Sequence, residues 1–353
     1  MQYRRDIARP PAGRGLTYAD AGVDIERKMG VLGRVKAAVQ ATYSPAVLAG
    51  IGNFGGLFDL SGLQGARQPV LVASTDGVGT KTKLASRLGR YRGLGFDIVN
   101  HCVNDILVQG ARPLFFLDYV ASSRLQGEMI EELIGGCAEA CRAAGCALLG
   151  GETAEMPDVY LPGEFDLVGT LVGWVGREAI IDGQSVRPGD LCLGLASSGL
   201  HTNGYSLARR AVDGMDLEAV QPELGVPLGQ ALLEPHRCYL PALEGLWAAG
   251  VVVKAMAHIT GGGFADNLPR VLPPGVQAVI RRGAWPVPPL FRLIQRAGGV
   301  DDDEMHHIFN MGVGMVLVVD AAQASTVLAV QPGQSWVIGE IAERGEGPQV
   351  HWA

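Results

Sequence analysis

Apolar residues are arranged along this chain in two alternating styles. Short, mainly apolar runs at 70–74, 114–121, 146–149, 165–175, 190–196, 251–257 and 312–319 predict strands covered on one or both faces. Between them, apolar residues return every three or four positions, which predicts helices over 23–40, 97–110, 129–144, 203–212, 264–271, 288–297 and 321–330. Within 129–144, Ile130, Leu133, Ile134, Cys137 and Cys141 share one side, and Gly145 supplies a C-terminal stop. The helix at 97–110 ends at "ARP". Strands alternating with helices predict an α/β or α+β protein. The pattern restarts near 174, which predicts two domains, 1–173 and 174–353. Residues 1–20 are polar and contain Pro and Gly, as expected of an arm, and 50–62 carry too much glycine for a regular element.

Composition narrows the class. The chain has 353 residues, 48% hydrophobic and 18% charged, enough apolar surface for sizeable cores. A formal net charge of −7 argues against nucleic acid and anionic membrane as partners. The N-terminal stretch has arginines but no apolar core of a leader, and no run approaches the ~18 apolar residues of a membrane span. The six cysteines form no CxxC pair, so neither a zinc site nor a disulfide framework is expected, and a cytoplasmic setting fits.

Candidate chemistry concentrates where strands end. "STDGVGTK" (74–81) lacks the GxxxxGK[ST] spacing of a P-loop. Asp76 between Thr75 and Gly77 reads instead as a Mg²⁺ ligand, with Thr80 and Lys81 beside it to meet phosphate. Its bland alternative is a turn with a solvated lysine. On the helix 97–110, Asp97, His101, Asn104 and Asp105 gather on the side opposite Val99, Cys102, Val103 and Ile106. Short groups without Lys or Glu suit a preorganised site, and Asp105 is the second candidate metal carboxylate.

Four further segments carry the same flavour. "GGETAEMP" places Glu152 and Thr153 just after a strand. "SSGLHTNGYSL" places His201 and Asn203 at a helix entrance, where backbone N–H groups attract phosphate and an imidazole could move protons. "AHITGGGF" puts His258 before Gly261, Gly262 and Gly263. "GIGNFGG", with Gly50, Gly52, Phe54, Gly55 and Gly56, reads as a mobile loop over a nucleotide. His306 and His307, in "DDDEMHHIFN", are expected at the surface with no catalytic role.

Taken in order, "YADAGVDI" (18–25), "GIGNFGG", "STDGVGTK", "CVNDILVQGARPLFFLDY", "GGETAEMP", "SSGLHTNGYSL", "AHITGGGF" and "FNMGVGM" resemble the phosphoribosylformylglycinamidine cyclo-ligases, or aminoimidazole ribonucleotide synthetases, of purine biosynthesis. The resemblance runs from about residue 18 to about 340. It implies an AIR-synthetase-like fold of two α/β domains, and a homodimer whose N-terminal mixed sheets join into a barrel. It also implies ATP and Mg²⁺, with Asp76 and Asp105 on the metal, Lys81 on the phosphates, residues 50–56 as the nucleotide loop, and Glu152 and Thr153 in the cleft. His201, Asn203 and His258 would lie near the reacting end of the substrate. Met311 stands where such enzymes often carry cysteine, and packing is its expected role. Thiamine-monophosphate kinase, selenophosphate synthetase and the hydrogenase-maturation dehydratase share the acidic metal logic and stay as alternatives. The cysteine expected of a selenophosphate synthetase near its N-terminus, and of the dehydratase at its C-terminus, is missing here. A silent nucleotide sensor is an alternative of another class.

Overall fold

A computed structural model describes residues 25–63 and 68–353. The expected arm at 1–20 and the motif "YADAGVD" lie outside the described residues. The first half contains α1 (Ile25–Gln40), β1 (Val47–Ala49), β2 (Leu57–Phe58), β3 (Pro69–Gly77), α2 (Lys81–Leu88), α3 (Arg92–Leu107), β4 (Arg112–Ser122), α4 (Gly127–Ala143), β5 (Ala147–Glu155) and β6 (Phe165–Gly176). Strands β1 and β2 form a small hairpin around the glycine loop. The other four make a mixed sheet in the order β3-β6-β4-β5, with β4 and β5 parallel and the remaining pairs antiparallel.

Helices cover one face of this sheet. Phe116, Val120, Leu167 and Leu171 point into that side and are buried with Ile98, Cys102, Ile130 and Ile134 of α3 and α4. Strict alternation in β6, buried then half-buried over twelve residues, separates this face from the other. Gly169 is needed where β6 passes Phe116: a Cβ there would sit 2.1 Å from the ring.

The second half contains β7 (Leu191–Ala196), α5 (Tyr205–Ala211), α6 (Leu228–Leu232), α7 (Leu240–Ala248), β8 (Val253–His258), α8 (Gly263–Asn267), β9 (Val276–Ile280), α9 (Pro289–Gly298), α10 (Asp302–Ile308), β10 (Val313–Val319), α11 (Ala324–Val330), β11 (Ser335–Glu343) and β12 (Val350–Trp352). Its six strands run β12-β9-β11-β7-β10-β8. Only β12 and β9 are parallel neighbours. Strand β10, between β7 and the edge strand β8, is apolar at nearly every position and buried at all of them.

The elements expected from periodicity are present with shifted ends. The expected helix 264–271 is instead α8 followed by a 3-10 turn, Leu268–Val271, because Pro269 lacks the N–H that an α-helix would use there. Strands β1, β2, β9, β11 and β12 and helices α2, α6, α7 and α10 were not expected, and β2 corrects the reading of 50–62 as wholly irregular. All of these have nine residues or fewer and little periodic signal: α2, for example, reads KTKLASRL. The expectation for His306 is corrected: it is buried, with Nδ1 2.8 Å from the Asp302 carbonyl and its ring edge against Trp352. His307 is exposed as expected. Met311 is buried, and its carbonyl accepts the Trp285 indole N–H, in keeping with a packing role.

Candidate active site

Helix α3 carries two sets of polar side chains with different duties. Asp97, Asn100 and Asn104, spaced three and four apart, face the second half of the chain. The Asn100 amide donates to the His236 carbonyl, the Asn104 amide donates to the Arg237 carbonyl, and the Asn104 oxygen accepts from Tyr239 N–H. Asp97 accepts from His236 N–H at 2.7 Å. One stripe of the helix therefore pairs the backbone of residues 236–239, which has no strand to join. His101 and Asp105 project instead into a cavity of about 730 Å³ between the two halves.

That cavity is where several expected site residues meet. Asp76 comes from the end of β3, Asp105 from α3 and His258 from the end of β8. His101 Nε2 lies 3.1 Å from Asp76 and 3.6 Å from Asp105. His258 Nδ1–H donates to Asp105 at 2.8 Å, and Ser74 O–H donates to its second oxygen at 2.9 Å. Burial works to raise both carboxyls, but the hydrogen bonds and charges of His101 and His258 outweigh it and hold them below their ordinary values. His101 is buried, which disfavours its cation, yet the two aspartates outweigh that and raise it.

Behind Asp105 the chain of contacts continues inward. With Nδ1–H of His258 committed to Asp105, its Nε2 accepts from His236 Nε2 at 3.0 Å. The His236 ring stacks on His201 at 3.9 Å. Burial, then the neighbouring cationic groups, push His201 and His236 well below the ordinary histidine value, so both rings are neutral. Each leaves Nδ1 buried without a partner among the described residues. His201 holds a positive φ of 62°, and its Nε2 accepts from Ser198 N–H.

A second cavity, about 510 Å³, lies under the glycine loop. Residues 50–56, Glu152, Thr153 and Asp118 line it, with apolar walls from α1 and α4. Glu152 is paired to Lys28 of α1 at 2.9 Å. Phe54 is fully exposed at the loop tip. Two of its glycines fit tightly: a Cβ on Gly50 would strike the Tyr43 hydroxyl, and one on Gly56 would strike Leu149.

The expected site is thus divided and in places corrected. Within one chain Glu152 and Thr153 sit on β5 and Asp76 on β3, at opposite edges of the sheet, so they do not share a cavity. Lys81 does not face phosphate. It is fully buried, paired with Asp97 at 2.8 Å, and donates to the carbonyls of His201 and Glu234. Thr80 is spent on Ser206 across the seam, and Gly77 N–H donates to Asp76. His201 and Asn203 lie behind the first cavity rather than in its wall.

The glycine run 261–263 is a pinned turn. Asn267 donates to the carbonyls of Thr260, Gly261 and Gly263, and it is Thr260 and Asn267 that line the cavity. His101 appeared in the sequence as part of a polar stripe, but no role was drawn from it. His236, in "EPHRCY", offered no signal at all, since only the tertiary fold brings it to His258.

Comparison with known proteins defines the class. The family model for the N-terminal domain of AIR synthase related proteins matches residues 61–175, and the model for the C-terminal domain of the same proteins matches 187–351. The fold is likewise that of thiamine-monophosphate kinase from Stenotrophomonas maltophilia, with a TM-score of 0.66 over 91% of this chain and 95% of that one at 20% identity. The hydrogenase maturation protein HypE in complex with ATP gives a TM-score of 0.64 at 19% identity, over 94% and 93%.

Sequence goes further than fold. Phosphoribosylformylglycinamidine cyclo-ligase of Bordetella petrii is 51% identical over 93% of this chain and 94% of its own, and that of Geobacillus thermodenitrificans is 49% identical over 92% and 95%. The chain belongs to the phosphoribosylformylglycinamidine cyclo-ligase family.

Proposed function

We propose that this enzyme closes the imidazole ring of aminoimidazole ribonucleotide in purine biosynthesis, using ATP and releasing ADP and phosphate. The observation that carries the reading is the pairing of about 50% identity to cyclo-ligases with a cavity that gathers Asp76, Asp105, His101 and His258. ATP is supported further by neighbours of the same fold crystallised with ATP or its analogue AMPPCP.

The formyl oxygen of the substrate is a poor leaving group. Transfer of the γ-phosphoryl group to it makes an imidoyl-phosphate-like carbon. The amidine nitrogen then attacks that carbon, the C–O bond breaks, and phosphate leaves with the electron pair. Such a reaction asks the protein mainly for positioning and charge stabilisation. Residues 50–56 and Thr153 suit the nucleotide, with Phe54 as a cover. Of the two histidines, His258 lines the cavity and is oriented by Asp105, whereas His201 is buried behind it, so His258 is the one placed near the substrate; to take a proton, its Nε2 must first give up the bond from His236.

Mg²⁺ fits the oxygen donors at hand, the Asp76 and Asp105 carboxylates, with His101 and His258 as their outer partners. When bound it would neutralise triphosphate charge. Glu152 and the first cavity act together only if a second chain brings them together.

A homodimer supports that. The uncovered sheet face carries Leu71, Phe115, Leu117, Tyr119, Val172 and Trp174, with Leu71 58% exposed, and two such faces would close into a barrel. The division of the chain near 174 into an ATP-binding, dimer-forming half and a second half belongs to this reading. So does a cytoplasmic location, in keeping with free cysteines and with no helix among the described residues long and apolar enough to cross a membrane. The test is incubation of the purified chain with formylglycinamidine ribonucleotide, ATP and Mg²⁺. Stoichiometric ADP, phosphate and aminoimidazole product are expected; ATP bound without turnover would favour the sensor instead.

A further inference from the structure

We propose that Asp118 is the base-reading residue of the cavity beneath residues 50–56, where its carboxyl engages the edge of adenine. The inference rests on the reading that ATP occupies this loop, and goes beyond it to the group that selects the base.

Asp118 sits mid-strand in β4 with 8% of its surface exposed, and what remains open faces the cavity. No side chain among the described residues hydrogen-bonds its carboxyl, which is met only by the N–H of Asp118 itself. A buried carboxyl with so little satisfaction calls for a further partner, and the cavity it lines can supply one. Gly151, its cross-strand neighbour on β5, keeps the way clear: a Cβ there would lie 2.3 Å from Asp118 Oδ1 and cover it. The walls are apolar, with Val35 and Val39 from α1, Ile134 from α4 and Leu149 from β5, as a flat ring requires. A volume of about 510 Å³ admits a nucleoside.

Its own backbone N–H favours the anion, but the side chains that face this carboxyl disfavour its charge or leave it alone. From α4 come the thiols of Cys137 and Cys141, which are buried and neutral. From β5 comes Glu152, whose negative charge repels it, and from α1 comes Lys28, which is engaged with Glu152. Burial first, then Glu152, push Asp118 up to about 7. A protonated carboxyl offers one acceptor and one donor side by side. Adenine offers the complement, the exocyclic N–H₂ as donor and the adjacent ring nitrogen as acceptor. An ionised carboxylate offers two acceptors and would suit guanine, whose ring N–H and amino group both donate.

The test uses the full-length enzyme and direct binding of ATP, GTP and purine riboside triphosphate, which lacks the amino group, between pH 6 and 8.5. In the wild type, ATP is expected to bind at least about tenfold more tightly than the other two at pH 6.5, and to weaken as pH rises past 7 and the donor is lost. Asp118→Asn fixes one donor and one acceptor in the same places. It should retain ATP preference and lose the pH dependence. Asp118→Leu should weaken ATP about tenfold or more and bind ATP and purine riboside triphosphate alike. Since it removes a buried ionisable group, it should melt no lower than wild type at pH 8.

Unchanged discrimination in Asp118→Leu would overturn the proposal, as would ATP binding in Asp118→Asn that keeps the wild-type pH profile. Equal loss in both variants, or a preference for GTP, would also overturn it in favour of an ionised carboxylate. A wild type that binds no ATP at all would remove the nucleotide reading on which it stands, a result distinct from each of these.

Discussion

At the scale of single residues, charge is distributed along a line that runs inward from the cavity wall. Asp76 and Asp105 are held ionised by imidazoles, whereas His236 and His201 further in are held neutral by burial. Two consequences can be measured. Asp105→Asn removes charge from the oxygen cluster and should raise the Mg²⁺ concentration needed for turnover by about tenfold or more. An unchanged Mg²⁺ titration would take Asp105 out of the metal site.

The second concerns pH. His201 and His236 bind protons less readily folded than unfolded, so acid favours the unfolded chain. Below about pH 6.5, where the unfolded residues begin to protonate, each should cost stability at up to about 1.4 kcal/mol per pH unit. His101 opposes this, because its raised value contributes stability at low pH that fades as pH rises through it. With three histidines held low, His201, His236 and His258, against one raised, the urea midpoint should fall between pH 6.5 and 5, and His236→Gln should flatten the fall.

At the scale of elements, α3 is the part that matters most, and it was only half legible. The alternation of apolar and short polar residues gave the helix and both its faces. It did not separate the residues that line the cavity, His101 and Asp105, from those that hold the backbone of 236–239, Asp97, Asn100 and Asn104. The distinction depends on what packs against each turn, which local sequence does not encode. Lys81 was misjudged for the same reason. Beside glycines a lysine reads as a phosphate ligand, but α2 delivers it beneath the seam, where three acceptors satisfy its three protons.

Breaking one side of that pair should be severe. Lys81→Met leaves Asp97 buried and unpaired, and should cost about 3–5 kcal/mol in a denaturant titration. Lys81→Met combined with Asp97→Asn, which keeps an acceptor for His236 N–H, should recover much of it. If Lys81 were a phosphate ligand instead, the single variant would melt normally and lose ATP affinity.

At the scale of the whole molecule, the open sheet face and the division of the site across the sheet make the same demand. Asp76, Gly169, Asp118 and Gly151 lie in one register row, which puts Asp76 and Asp118 roughly 10 Å apart, two strand spacings, on the helix-covered side. On the other side, aromatic and aliphatic residues stand with no covering layer among the described residues. Leu71→Asp places a charge there and should convert a dimer into a monomer of much lower activity, read by light scattering alongside turnover. A wild type that scatters as a monomer at working concentrations would end that account.

The sequence by itself determined the alternation of strand and helix, the polar stripe of α3, the glycine loop and the family, because periodicity and short motifs are properties of neighbours along the chain. Only the tertiary structure decided that Lys81 is buried, that His236 reaches His258, and that Asp118 opens beneath Gly151. Each of these depends on burial and on partners far away in sequence, and it is burial that sets whether a carboxyl, an amine or an imidazole carries charge.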